Sequence, residues 1–355
     1  MRFVSVEDLN PGMVLGRPFI GKSGELMLAA NTVLSESLVK VIQNLRYSGL
    51  YIRDDFSEGV EPNDLISLEL RINSVAAIRR FMLDMQSPGD SRITRGMENI
   101  KGLVDMIVGE ISSVDGAMVN LIDLKSFDLY TFQHSVNVCV LSCAMGSALR
   151  FSKTKLYTLA MAAILHDIGK VFIPLPILNK PGLLNKQEQE IMKKHAADGS
   201  EYVQRKFHFN NTICLPIKQH HERFDGSGYP MQLSEGDIDL FARIISVADV
   251  YDAIMSKRPY HDAAMPSEAY EYVMGNAGGH FCPEVVETFV KTVLPFPSGI
   301  TVRLSNGLTG LVYKNNVNFP MRPLIKIREQ LGIPEHFLDL GNDPSALDIT
   351  IQSFA

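Results

Sequence analysis

Apolar and polar residues follow different rhythms in different parts of the chain. Up to about residue 55, short apolar clusters at Val4, Val6, Met13 and Leu15 sit between turn residues such as Asn10-Pro11-Gly12 and Lys22-Ser23-Gly24. That pattern predicts short strands. One amphipathic helix follows in "SESLVKVIQNLRYSGL", with Ser35 as its N-cap and Gly49 as its stop. The polar stretch "RDDFSEGVEPND" reads as a linker. From Asp64 to Val114 apolar residues recur at steps of three and four: Leu65, Leu68, Ile72, Val75, Ile78 and Phe81, then Ile93, Met97, Ile100, Val104, Ile107 and Ile111 beyond the break "SPGDS". Two helices are predicted there. They serve either as a homodimer contact or signal relay, or as a plain hairpin packed on the core.

Helical periodicity dominates residues 116–296. Asn185 and Glu188 spell a capping box at the head of "KQEQEIMKKHAADGSEYVQRK". From Pro297 the period falls to two: "GITVRLSNGLTGLVYKN" alternates around Ser305-Asn306-Gly307, a hairpin signal, and Met321 to Ile327 is another strand candidate. The expected fold is mainly α. A small α+β domain covers 1–58, a helical linker or hairpin 59–115, a helical catalytic domain 116–296 and a short β-rich extension 297–355.

Composition narrows the function. With 46% hydrophobic and 21% charged residues, the 355-residue chain is an ordinary folded protein of two or three domains. A net charge of -6 without a basic run argues against a nucleic-acid polymer as partner. The cysteines Cys139, Cys143, Cys214 and Cys282 show no CxxC spacing and read as reduced thiols. No segment resembles a signal peptide or approaches the ~20 apolar residues of a membrane helix. A cytoplasmic protein with no membrane partner is expected.

The chemistry lies in histidines. Five of the nine, His134, His166, His195, His220 and His221, fall on or at the ends of predicted helices in the central region. Asp167 follows His166 directly, and Asp249 stands among Val247, Ala248, Val250 and Ala253. A buried carboxylate is costly unless it is paired or binds metal. Any one of these residues alone is ordinary; several polar groups sharing one core are not. Imidazole and carboxylate without thiolate suit iron, manganese, zinc or nickel. Seven ligands exceed one four-coordinate site, and Asp167 is placed to bridge two ions.

"ILHDIGK" followed by "HHERFDGSGYP" resembles the HD-GYP family, a branch of the HD metal-dependent phosphohydrolases, over roughly residues 120–295. "YTFQHS", "KKHAADG", "ARIISVADVYDAI" and "KRPYH" extend the resemblance. It implies an HD-type helical bundle that hydrolyses cyclic di-GMP, through a hydroxide bridging two metal ions, to the linear dinucleotide pGpG, with slow further cleavage to GMP. Iron is the first choice, with manganese, nickel or zinc as alternatives. By the same resemblance His134, His166, Asp167 and Asp249 hold one ion, and Asp167, His195, His220 and His221 the other. Asp167 and Lys170 are the catalytic pair, with Lys170 facing the scissile phosphate. Gly228, Tyr229 and Pro230 form a loop beside the pocket, where glycine permits positive φ and close approach. Arg258 contacts a phosphate or guanine. Two departures stand out. Some members carry a glutamate four residues before the first histidine, where this chain has Tyr130, and Cys282-Pro283 stands where aspartate commonly precedes proline. Two other readings stay open: a cyclic-dinucleotide-binding signalling protein with little turnover, and an HD phosphohydrolase of another nucleotide.

Overall fold

The computed structural model describes residues 1–21, 25–45, 47, 49–62, 64–86, 90–114, 130–255, 266–330 and 332–354, and the side chain of Tyr130 lies outside that description. Near the N-terminus come β1 (Arg2–Ser5), β2 (Val14–Leu15), β3 (Phe19–Ile20), β4 (Leu26–Leu28), α1 (Glu36–Asn44) and β5 (Gly49–Arg53). β1, β5 and β2 form an antiparallel sheet in that order, and β3 pairs with β4. Ser35 caps α1 by accepting from the Leu38 amide. Gly49 does not stop this helix. α1 already ends at Asn44, and Gly49 pairs with Ser5 in the sheet. A side chain there would strike the Val4 carbonyl and the Phe3 ring, so the glycine serves close strand approach.

Helices then follow: α2 (Leu68–Met85), α3 (Asp90–Ser112), α4 (Tyr130–Ala148), α5 (Lys153–Leu165), α6 (Leu175–Leu178), α7 (Lys186–Phe207), α8 (Asn211–Gln219), α9 (Leu240–Met255), α10 (Pro266–Gly275) and α11 (Pro283–Thr292). One hydrophobic core runs through them. Phe81 of α2 and Ile100, Val104 and Ile107 of α3 share it with α4, α5, α8 and α9. The α2–α3 pair thus spends its apolar stripe on this core. α5 is buried almost throughout, from Leu156 to Leu165. The expected capping box at Asn185 and Glu188 opens α7. Among the described residues no helix is long and apolar enough to cross a membrane.

The chain ends in β6 (Thr301–Leu304), β7 (Thr309–Lys314), β8 (Leu324–Ile327), β9 (His336–Asp339) and β10 (Ile351–Phe354). They form an antiparallel sheet ordered β10-β6-β7-β8-β9 over its own core of Val302, Leu304, Val312, Ile325 and Ile327. The β6–β7 turn has Gly307 at φ 84°, the left-handed conformation that glycine tolerates.

Candidate metal centre

Five helices deliver seven side chains to one place. His134 comes from α4, His195 from α7 and Asp249 from α9; His166 caps the C-terminus of α5, and His220 that of α8. Asp167 and His221 come next in the chain. Ligand atoms of Asp167, His195, His220 and His221 lie within 4.8 Å of one another, as do those of His134, His166 and Asp167, and those of His166, His220 and Asp249. All seven are buried except His221, which is half-buried.

The backbone sets the direction of each imidazole. Nδ1 of His166 lies 2.8 Å from the Ala163 carbonyl, Nδ1 of His195 2.7 Å from that of Met192, and Nδ1 of His220 2.6 Å from that of Ile217. A carbonyl only accepts, so each Nδ1 carries a proton, and in the neutral ring the lone pair is then on Nε2. Those lone pairs converge. His195 Nε2 is 3.4 Å from His220 Nε2 and 3.1 Å from His221 Nε2. His134 lies between two carboxylates, with Nδ1 2.7 Å from Asp252 and Nε2 3.0 Å from Asp249. A neutral imidazole can donate to only one of them.

Asp167 joins the two groups. Its Oδ2 is 3.3 Å from His166 Nε2 and 3.8 Å from His134 Nε2, while its Oδ1 is 3.4 Å from His195 Nε2. Yet Oδ1 and His166 Nε2 are buried without a hydrogen bond. Buried acceptors facing acceptors are costly unless a cation sits among them. Burial pushes His195, His220 and His221 down, His221 to about 3, so protons do not supply that cation near neutral pH. Burial pushes Asp167 and Asp249 up, but Lys170 and the imidazoles around Asp167, and the imidazoles around Asp249, hold both carboxyls well below the usual range. Neutral imidazoles and charged carboxylates are the form that binds a divalent ion. The donor set fits one.

The loop after His221 is built to lean on it. Tyr229 donates its amide to the His221 carbonyl at 3.1 Å, and its ring stacks on the His221 imidazole with centroids 4.7 Å apart. The Tyr229–Pro230 peptide is cis. The two glycines divide the work expected of one. Gly226 takes the positive φ, 81°, and Gly228 the close approach, since a Cβ there would lie 2.5 Å from the Glu222 Cα. Glu222, buried, accepts from the amides of Met231 and Leu233 at 2.6 and 3.0 Å and so closes the loop. Neither Glu222 nor Asp252, which lies behind His134, is among the residues the sequence points to. Lys170, half-buried, donates to Asp167 Oδ2 at 2.5 Å. Cys282 is buried, stands at the N-cap of α11 and is in none of the candidate ligand groups. Arg258, with the rest of "KRPYH", lies outside the described residues.

Fold and donor set together define a class: a helical domain that gathers imidazoles and carboxylates into a group able to hold metal. Residues 117–285 match the family described as HD domain. That stretch, just under half of the chain, holds the motifs that resemble the HD-GYP branch of the family. A cyclic di-GMP phosphodiesterase of Pseudomonas aeruginosa is 36% identical over 258 residues, 71% of this chain and 62% of that protein. A cyclic di-GMP phosphodiesterase of Thermotoga maritima is 39% identical over 169 residues, 46% of this chain and 45% of the relative. A 3′3′-cGAMP-specific phosphodiesterase of Vibrio cholerae is 38% identical over 161 residues, 45% of this chain and 37% of the relative. The chain thus spans less than two thirds of the length of these relatives. Among solved structures, an HD-GYP-type protein from Bdellovibrio bacteriovorus aligns with a TM-score of 0.48 and 18% identity over 81% of this chain and 97% of its own.

Proposed function

We propose that the chain is a metal-dependent phosphodiesterase that opens cyclic di-GMP to the linear dinucleotide pGpG, with slower passage on to GMP. The observation that carries this reading is the placement of Asp167, whose two oxygens face two separate imidazole groups while Lys170 rests on the same carboxylate. Two ions, His134, His166, Asp167 and Asp249 holding one and Asp167, His195, His220 and His221 the other, would supply an activated water and a clamp on the oxygens of an in-line displacement. Nitrogen and oxygen donors without thiolate put iron first, ahead of manganese, nickel and zinc.

The remaining roles belong to the chain itself. Lys170 sets a cation beside the transferred phosphoryl oxygens. Gly228, Tyr229 and Pro230 wall the pocket next to His221, and Tyr229 stays a neutral phenol because burial pushes its pKa up. Arg258 binds a phosphate or guanine of the ligand. All four cysteines are buried thiols, which agrees with a cytoplasmic, reducing compartment.

One observation favours a second substrate. A relative named for 3′3′-cGAMP is 38% identical over 161 residues, beside 39% over 169 residues for the cyclic di-GMP enzyme of Thermotoga. Protein loaded with metal under anaerobic conditions should be assayed against cyclic di-GMP, 3′3′-cGAMP and cyclic di-AMP, with products separated by chromatography. Preferential release of pGpG supports the proposal. Equal turnover of all three, or none with retained binding, rejects it in favour of a general phosphohydrolase or a binding protein.

A further inference from the structure

From Nδ1 of His134 a line of polar side chains leads away from the other imidazoles and out of the ligand set. Asp252 Oδ2 is 2.7 Å from that nitrogen, Asn137 Nδ2 is 2.8 Å from Asp252 Oδ1, and Arg71 Nη1 is 2.8 Å from Asn137 Oδ1. Asp252, Asn137 and Arg71 are all buried. Arg71 stands on α2, a helix that contributes no candidate ligand among the described residues.

Each link can run in one direction only. A guanidinium has donors and no acceptor, so the Asn137 amide must turn its oxygen to Arg71. Its NH₂ group is then committed to Asp252, whose carboxylate only accepts. The second Asp252 oxygen therefore takes the proton on His134 Nδ1. His134 is left with its Nε2 lone pair towards Asp249, 3.0 Å away, and Asp167. The charge on a distant helix thus fixes which nitrogen of a candidate ligand is free to bind.

We propose that Arg71, Asn137 and Asp252 are positioning residues that lock the tautomer of His134 and so set the affinity of one ion, the one on His134, His166, Asp167 and Asp249, from a helix outside the centre. This rests on reading the centre as a two-ion site. Outer partners of metal-bound histidines typically govern affinity by about 10–100-fold. In the second group His195 and His220 take their orientation from backbone carbonyls and His221 stacks on Tyr229, none of them through the relay.

Calorimetric titration of the metal-free full chain with manganese(II) tests this. Wild type should show two binding events. Asp252→Asn is isosteric and folds on the same core, yet it places an amide where a carboxylate must accept twice. It should weaken one event by about 10–100-fold and leave the other within about twofold. Arg71→Met should do the same, and Arg71→Lys, still donor-only, should recover most of the loss. Equal weakening of both events, or of neither, overturns the relay. If wild type and His134→Ala alike bind no manganese, the metal reading itself fails, and the relay with it.

Discussion

Lys170 and Asp167, three residues apart, meet through Nζ and Oδ2 at 2.5 Å, and the other oxygen of that carboxylate faces His195. The lysine thus stands beside the candidate bridging ligand without being a ligand itself, because an ammonium has no lone pair. Lys170→Ala should keep two ions per chain and lose ~10²–10³ in turnover, the scale for one lost transition-state charge stabiliser. Elemental analysis beside steady-state kinetics checks it. A fall in metal content parallel to activity would make the lysine structural.

Asp167→Ala removes the link between the imidazole groups. Both ions should bind more weakly, and hydrolysis should disappear. Asp249 faces His134 at 3.0 Å but His221 only at 3.9 Å, so Asp249→Ala should weaken one ion far more than the other. Manganese titrations of the two variants side by side separate bridge from terminal ligand. Identical profiles would sink the bridging role.

The ligand residues could be found in the sequence because each marks a helix end or a buried helix with an unusual polar residue. His166-Asp167 closes the apolar run of α5, and Asp249 interrupts that of α9. The residues behind them were harder to find. Asp252 and Asn137 are separated by 115 positions and Arg71 and Asn137 by 66, so no local pattern joins them. One signal was there: Asn137 follows His134 and Asp252 follows Asp249 by three residues, the spacing that shares a helix face. The length of α1 was misread for a different reason. Gly49 resembles a helix stop in isolation, and only its pairing with Ser5 shows it is a strand residue.

Acid should destabilise the metal-free protein. An unfolded histidine takes up a proton below about pH 6.5. Burial, offset only in part by Asp249, pushes folded His221 down to about 3, and burial lowers His220 and His195 as well. Between those limits the unfolded chain binds protons that the folded chain refuses, so stability is full above about pH 6.5 and falls as pH falls. Asp167 and Asp249, held below the usual carboxylate range, extend the loss below about pH 4. Melting temperatures of the metal-free chain at descending pH should decline, and His221→Gln should make the decline shallower. Equal slopes for the two proteins would show that His221 does not couple folding to protons.

Gly169 and Gly199 bring the chain after Asp167 against α7, which carries His195. A Cβ on Gly169 would lie 2.7 Å from the Gly199 nitrogen and would strike the His195 carbonyl as well. Backbone cannot yield as a side chain can, so Gly169→Ala must push the short helix Ile168–Phe172 away from α7. Overpacking of this kind costs about 1–3 kcal/mol. It should also widen the 3.4 Å gap between Asp167 and His195 and weaken manganese binding. Gly102, inside α3 with nothing within 4 Å of an added Cβ, provides the contrast. There alanine should stabilise by about 0.5–1 kcal/mol, since helix interiors favour it over glycine. Urea unfolding with chelator present, followed by metal titration, measures both effects. If Gly169→Ala unfolds and binds metal as Gly102→Ala does, the close approach of these two segments is not what sets the distance between Asp167 and His195.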